Sequence, residues 1–266
     1  GSTYVFISAH EGVWKKMILS VRGLAFKYTS RSVLKDINFS VEKGECAALL
    51  GTNGAGKSTL LKCIDLILKA QYGTALIEKN EIFKLSPIKL AQRVGYVSQQ
   101  QTSVRTTVFD SVLLGRKPYI KWNASKEDIS IANMAIEALE LEDYSLRFLD
   151  ELSGGELQKV VIARAIAQKP EILLLDEPTS NLDLKNQLEV IRIINRIVKT
   201  QGIAAVMIVH DLNLAIRFAD KFIMLKDGTI FAAGGREIMT PENIERVYSV
   251  PVAVKNYKNI PVIIPL

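Results

Sequence analysis

The chain has 266 residues, of which 48% are hydrophobic and 23% are charged, and its formal net charge is +6. This composition is typical of one folded domain or two small lobes and argues against intrinsic disorder. No apolar run reaches the roughly 18 residues of a membrane-spanning helix, so we expect any membrane contact to be peripheral. The net charge permits a nucleic acid or an anionic membrane surface as a partner, but the basic residues are scattered rather than clustered, so the charge alone does not decide.

Residues 1–16 precede the first predicted strand. They begin with Gly-Ser, which is typical of a cloning remnant, and their apolar run YVFISA is too short for a signal peptide. We interpret residues 1–16 as a tail left by cloning and residues 17–266 as the folded protein.

Alternating apolar and polar residues then predict a layer of antiparallel strands. The alternation has a period of two at 19–28 and 37–41, as in half-buried strands. Further strands are predicted at 74–79 and 93–99, with Ser86 and Pro87 opening a short helix between them.

The strongest signal is the run GTNGAGKST at 51–59, between an apolar strand and an apolar-periodic helix. Its glycines allow positive φ, so that backbone N–H groups can approach an anion, and the helix adds the positive end of its dipole. Lys57 supplies a charge for the β and γ phosphates, the Ser58 hydroxyl suits Mg²⁺, and Thr59 can donate to the α phosphate. The residues predicted to bind a nucleoside triphosphate are Gly51, Asn53, Gly54, Ala55, Gly56, Lys57, Ser58 and Thr59.

A helical region follows these strands. Helical periodicity covers 107–149, with Ser125 capping the longest helix, and we place an inserted helical subdomain at about 100–165. Helices and strands then alternate as far as 210, which predicts a parallel sheet and an α/β fold. The turn at Asp227 and Gly228 predicts a hairpin, and a β-rich tail is expected at about 249–266.

Two acidic residues end the apolar strand ILLL. Asp176 is predicted at the carboxyl edge of the parallel sheet, where it can hold Mg²⁺ through water. Glu177 points elsewhere, and a carboxylate beside the γ phosphate can orient and deprotonate a water. Glu177 is therefore the candidate general base.

The run LSGGE at 152–156 opens a helix. Ser153 and Glu156 have the spacing of a capping box, in which each side chain bonds the other residue's backbone N–H. Gly154 and Gly155 are poor helix formers and are not explained by the cap. They leave bare N–H groups at a positive helix end, which predicts an anion site without a ligand from its own chain.

The ordered set of motifs resembles the ATP-binding-cassette (ABC) ATPases over 19 to about 250. These motifs are Tyr28, GTNGAGKST, Gln99 in YVSQ, LSGGE, ILLLDEPTSNLD with Asp183, and His210 after IAAVMIV. The resemblance implies the P-loop ABC-ATPase fold, with a mainly parallel core sheet, an antiparallel β subdomain and an inserted helical subdomain. It also implies an ATPase with ATP and Mg²⁺ as cofactors.

The resemblance further implies roles for individual residues. Tyr28 stacks on adenine, His210 contacts the γ phosphate, and Gln99 links the metal site to the helical lobe. Asp183 lies in a loop that faces the second subunit of a head-to-tail homodimer. The LSGGE surface closes over the nucleotide of that subunit through Ser153, Gly154, Gly155 and Glu156.

Three classes of function are compatible with such a cassette. A DNA-maintenance ATPase would place a long coiled coil between Gly51 and Leu152, whereas about a hundred residues without heptads separate them here. A translation factor would carry two cassettes. The run TVFDSVLLGRKPYIKW and the tail resemble importers of iron-siderophore, haem, cobalamin or related metal chelates, with an iron-sulfur cluster assembly ATPase as the alternative. An importer implies membrane permease subunits at the cytoplasmic face and, indirectly, an external binding protein, and we expect no nucleic acid partner.

Overall fold

The structure, a computed structural model, describes residues 17–99, 105–258 and 260–266. The predicted cloning tail at 1–16 and the start of the predicted helical subdomain lie outside the described residues. The strands are β1 (Met17–Tyr28), β2 (Arg31–Glu42), β3 (Cys46–Leu50), β4 (Tyr72–Ile77), β5 (Asn80–Glu81), β6 (Val94–Val97), β7 (Ile172–Leu175), β8 (Ala204–Ile208), β9 (Lys221–Lys226), β10 (Thr229–Gly234), β11 (Val252–Tyr257) and β12 (Ile260–Pro265). The α-helices are α1 (Lys57–Ile64), α2 (Pro87–Ala91), α3 (Val108–Leu113), α4 (Lys126–Ala138), α5 (Gly154–Ala167), α6 (Leu184–Gln201), α7 (Leu212–Phe218) and α8 (Pro241–Tyr248).

The central sheet has six strands in the order β10-β9-β3-β8-β7-β6. Neighbouring strands from β9 to β6 are parallel, and β10 is an antiparallel edge strand. Because parallel strands end at the same edge of a sheet, the loops after β3, β7 and β8 lie side by side. The predicted parallel sheet is confirmed, and its carboxyl edge collects the loops that hold the predicted site residues.

Strand β3 is buried on both faces. Cys46, Ala48 and Leu50 pack into a core shared with the helices, while Ala47 and Leu49 pack into a second core shared with the antiparallel sheet. Successive side chains of a strand point to opposite faces, so a strand between two cores must be apolar throughout. This explains the continuous apolar run before the glycine-rich loop.

The second sheet is antiparallel, in the order β2-β1-β4-β5, as the period-two pattern predicts. It is attached to the central sheet through the β9–β10 hairpin, where Lys35 N–H donates to Gly228 O at 2.7 Å. Asp227 and Gly228 in that turn have positive φ of 49° and 78°, the geometry favoured for tight hairpins. The end of β1 is thereby held close to the glycine-rich loop.

Helices α3, α4 and α5 pack against one another beside the central sheet. Ser125 caps the α4 helix: its Oγ accepts from Asp128 N at 3.1 Å, while Asp128 Oδ2 accepts from Ser125 N at 3.0 Å. Asp128 also forms a buried ion pair with Arg116 at 2.9 Å. The bounds of the helical subdomain, about 100–165, stay a prediction. Among the helices of the described residues, none has both the length and the apolar character needed to cross a bilayer.

Candidate nucleotide site

The run GTNGAGKST forms the turn between β3 and α1. Gly51, Gly54 and Gly56 have φ of 144°, 80° and 105°, values that residues with a Cβ rarely adopt. A Cβ at Gly51 would also lie 2.3 Å from the carbonyl oxygen of Leu225 on β9. Both the backbone conformation and the close approach of β9 therefore require glycine at this position.

Lys57 lies inside the loop and is only 6% exposed. Its Nζ donates to the carbonyl oxygens of Gly51 at 2.8 Å and Thr52 at 2.9 Å. Burial lowers the pKa of Lys57, while the nearby carboxylates of Glu177 and Asp176 act in the opposite direction. An ammonium group has three N–H donors, and the bonds to described residues use two of them, which leaves one for a ligand. Lys57 thus links the end of the loop to its beginning and still presents a positive charge to a ligand.

Ser58 and Asp176 meet where the loop approaches the end of β7. Ser58 Oγ donates to Asp176 Oδ1 at 2.8 Å, and the Tyr96 hydroxyl donates to Asp176 Oδ2 at 3.3 Å. Asp176 is 3% exposed, and burial raises the pKa of Tyr96, which keeps its hydroxyl protonated. The two oxygen donors that the sequence assigns to Mg²⁺ are therefore neighbours.

Glu177 lies between His210 and Gln99. His210 Nε2 is 2.6 Å from Glu177 Oε1, and Gln99 Nε2 donates to Glu177 Oε2 at 2.6 Å. The backbone of Glu177 has φ of 53°, a left-handed conformation that costs about 1 kcal/mol or more outside glycine and is frequent at functional sites. Glu177 and the adjacent Asp176 share none of these side-chain partners, so the two acids lie in different surroundings.

A cavity of about 290 Å³ opens beside the loop. Tyr28 forms one wall, and its ring packs edge-on against Phe26 with centroids 4.7 Å apart. The described residues that line the cavity are Tyr28, Arg31, Val33, Asn53, Gly54, Gly56, Lys57, Ser58, Thr59 and Glu177. The cavity therefore joins an aromatic wall to the phosphate-binding loop.

The LSGGE run has the predicted capping box. Glu156 Oε2 accepts from Ser153 N at 2.8 Å, while Ser153 Oγ accepts from Glu156 N at 3.3 Å. Gly155 is buried against Asn186, since a Cβ there would lie 2.9 Å from Asn186 Cγ, and Asn186 Nδ2 donates to Asp183 Oδ2 at 3.1 Å. None of residues 153–156 is among the described residues that line the cavity. The fold thus joins LSGGE to Asp183 but keeps both apart from the phosphate loop.

Among the described residues at the site, three with polar side chains were not predicted from the sequence. Arg31 lines the cavity, Tyr96 contacts Asp176, and the Tyr248 hydroxyl accepts a hydrogen bond from Gly51 N–H at 2.9 Å. The Gly51 N–H therefore has a tyrosine oxygen as its acceptor, and an anion contact of the loop glycines stays a prediction. The position of Tyr96 near the carboxyl end of a parallel strand was an available signal, whereas Tyr248 is 197 residues from Gly51 and had none.

Comparison with known proteins agrees with this geometry. Residues 34–180 match the ABC transporter family. An uncharacterised ABC transporter ATP-binding protein of Methanocaldococcus jannaschii is 58% identical over 94% of this chain and 98% of its own length. The iron(3+)-hydroxamate import ATP-binding protein FhuC of Bacillus subtilis is 37% identical over 89% of each chain. A metal-chelate type ABC transporter in an inward-facing conformation has a chain that superposes with a TM-score of 0.82, at 32% identity over 94% of this chain and 98% of that one.

The fold and the phosphate loop define a P-loop nucleoside triphosphatase. The chain belongs to the ABC transporter ATP-binding family, which confirms the resemblance drawn from the sequence motifs and the predicted fold class. It binds ATP and is an ATPase, as is inherent to these cassettes.

Proposed function

We propose that this chain is the ATP-hydrolysing subunit of an ABC importer for an iron-siderophore, haem, cobalamin or related metal chelate. The observation that carries the proposal is the convergence of Lys57, Ser58 and Glu177 on one cavity, in a chain similar to a subunit named for iron(3+)-hydroxamate import. Permease subunits and an external binding protein would select the cargo, and this chain would supply the free energy of ATP hydrolysis.

Glu177 is the general base in this proposal. Its carboxylate takes a proton from the water that attacks the γ phosphorus, and the bond from that phosphorus to the bridging oxygen breaks to release ADP and phosphate. His210 lies 2.6 Å from the same carboxylate and is assigned a contact with the γ phosphate. Their short separation supports a shared role at the position of the attacking water.

The donors at the site fit Mg²⁺. The Ser58 hydroxyl and the Asp176 carboxylate are hard oxygen donors whose atoms lie 2.8 Å apart, and Mg²⁺ prefers oxygen ligands and retains several waters. We assign the ion to Ser58, Gln99 and Asp176, with Asp176 acting through water. The ion would neutralise charge on the β and γ phosphates.

Two copies of the chain complete each nucleotide site in this proposal. The cavity is lined by the phosphate loop but by none of residues 153–156, and Gly154 is exposed at a positive helix end. A head-to-tail dimer with two-fold symmetry places Ser153, Gly154, Gly155 and Glu156 over the nucleotide of the partner copy, with Asp183 between the sites. ATP binding closes this dimer and hydrolysis reopens it.

The proposed permease site is a groove of about 510 Å³ between the helical region and the sheets. Its lining comes from the end of α1, from α2, β6 and α5, and from the turn at Leu114 and Gly115. Asp65 and Arg164 both line the groove, and burial raises the pKa of Asp65 to about 7. A groove with apolar and ionisable side chains suits a short amphipathic helix. We assign that helix to the cytoplasmic side of the permease, which would hold this chain at the cytoplasmic face of the membrane.

Site-directed photocrosslinking tests the permease assignment. Leu114 lines the groove and is 58% exposed, so Leu114→Cys labelled with benzophenone maleimide should crosslink to a permease subunit in membranes of the source organism. The native Cys46 and Cys63 are buried and should not be labelled. Met134→Cys, on α4 and 62% exposed, is the matched control outside the groove. Crosslinks from position 114 to an iron-sulfur scaffold protein or to DNA instead of a permease would contradict the importer assignment.

The wall formed by Tyr28 gives a second test. If the ring stacks on adenine, Tyr28→Ala should weaken ATP binding by about 1 to 3 kcal/mol, the range found for aromatic stacking on bases. Tyr28→Phe keeps the ring and should bind as tightly as the wild type. Titration with a fluorescent ATP analogue measures the affinity of the wild type and of both variants. Equal affinities for all three proteins would contradict stacking of Tyr28 on adenine.

A further inference from the structure

The last segment of the chain contacts the phosphate loop. Helix α8 ends at Tyr248, a half-buried residue whose hydroxyl oxygen accepts a hydrogen bond from Gly51 N–H at 2.9 Å. Burial raises the pKa of Tyr248 to about 12, so the hydroxyl stays uncharged at neutral pH. The first peptide of the loop is thus bonded to a residue near the carboxyl terminus.

Gly51 is held on its other sides as well. Its carbonyl oxygen accepts from Lys57 Nζ at 2.8 Å, and β9 leaves no room for a Cβ. The tyrosine hydroxyl therefore holds the peptide before the Gly51 Cα, and the lysine holds the peptide after it. A buried N–H that loses its acceptor is costly, so removal of the hydroxyl oxygen favours a reorientation of the peptide that carries the Gly51 N–H.

The same segment also contacts the helix that follows His210. Asn213 lies in the first turn of α7, which Asp211 caps by accepting from Asn213 N at 2.8 Å. The Asn213 side chain donates to Ile263 O at 3.0 Å and accepts from Ile263 N at 2.8 Å. Strand β12 is thus paired with an asparagine side chain as it would be with the backbone of a neighbouring strand.

We propose that the segment from α8 to β12 positions two parts of the nucleotide site, the phosphate loop through Tyr248 and the His210 loop through Asn213. Both are positioning residues, because they act through Gly51 and through the start of α7 and are not assigned any contact with ATP. The inference rests on the proposed roles of the phosphate loop and His210. In this proposal Tyr248 affects the affinity for the nucleotide, whereas Asn213 affects the rate of turnover.

The Tyr248→Phe variant tests the first contact. It keeps the aromatic ring and removes only the oxygen, so the KM for ATP should rise about three- to tenfold while kcat changes by less than about twofold. Tyr257→Phe is the matched control, because Tyr257 lies in β11 of the same segment and is 67% exposed. The control should keep both constants.

The Asn213→Ala variant should change kcat and not the KM for ATP, the opposite of Tyr248→Phe. The helix after His210 loses its two bonds to β12, so kcat should fall about three- to tenfold with little change in the KM for ATP. Asn213→Asp, which keeps the acceptor for Ile263 N–H, should retain more of kcat than Asn213→Ala.

The outcomes separate positioning from mere stabilisation. If both variants lower the melting temperature and leave kcat and KM at wild-type values, or shift both constants alike, the segment only stabilises the fold and the inference is overturned. The assays use the basal ATPase of the purified full chain and need no permease. Failure of the crosslinking test would therefore contradict the importer assignment without altering the expected effects of the two variants on basal ATPase. Likewise, wild-type kinetics in both variants would overturn the positioning roles without contradicting the importer assignment.

Discussion

The Glu177→Gln variant should bind ATP nearly as the wild type does and hydrolyse it about a hundredfold or more slowly. Glutamine has almost the same shape as glutamate, so the site keeps its form, but an amide does not accept the proton of the attacking water. Steady-state phosphate release and a binding titration on the same preparation measure the two effects. Rates equal to wild type would remove Glu177 as the base.

The same variant should trap the closed dimer. With hydrolysis blocked, Mg-ATP should hold two copies together in size-exclusion chromatography, and ADP or EDTA should return them toward monomers. Glu140→Gln, which changes a glutamate whose side chain is 59% exposed, is the control and should neither slow turnover nor trap a dimer. ATP hydrolysis by a monomer at a rate independent of protein concentration would contradict the shared site.

The Lys57→Ala variant should lose ATP binding and hydrolysis together. The change removes the buried positive charge expected to contact the phosphates, and it leaves the carbonyl oxygens of Gly51 and Thr52 without their donor. Loss of charge-assisted hydrogen bonds of this kind corresponds to about a hundredfold in affinity.

Calorimetric titration with ATP measures the loss of affinity. Lys62→Ala is the control, because Lys62 lies in the last turn of the same helix and is not among the described residues that line the cavity. Thermal denaturation of the nucleotide-free proteins shows how far Lys57 also stabilises the empty loop. Wild-type affinity in Lys57→Ala would contradict the assignment.

Much of the site was predictable because its signals are local. The loop glycines, Lys57 and Ser58 follow one another directly, and strand, turn and helix are adjacent in the chain. The caps at Ser125 and Ser153 depend on a residue three positions later, so their pattern is visible in the sequence. Asp176 directly follows a parallel strand, and this position predicts that it lies at the edge of the sheet where the loop with Ser58 also lies.

The contacts that escaped prediction join residues far apart in the chain. Tyr248 reaches Gly51 only because α8 packs beside β9, and Asn213 meets Ile263 only after the terminal hairpin has folded back. The left-handed backbone of Glu177 was equally invisible, because glutamate has no preference for that conformation and the surrounding fold imposes it. Tertiary packing, rather than local propensity, determines these features.

The hydrogen bonds of Lys57 to its own loop bear on the energetics of nucleotide capture. The loop surrounds the Lys57 ammonium group, whose hydrogen bonds orient the carbonyl groups of Gly51 and Thr52. The loop needs little further ordering when a triphosphate binds, so its loss of conformational entropy on association is small. We therefore expect ADP to be exchanged for ATP without refolding of the binding loop.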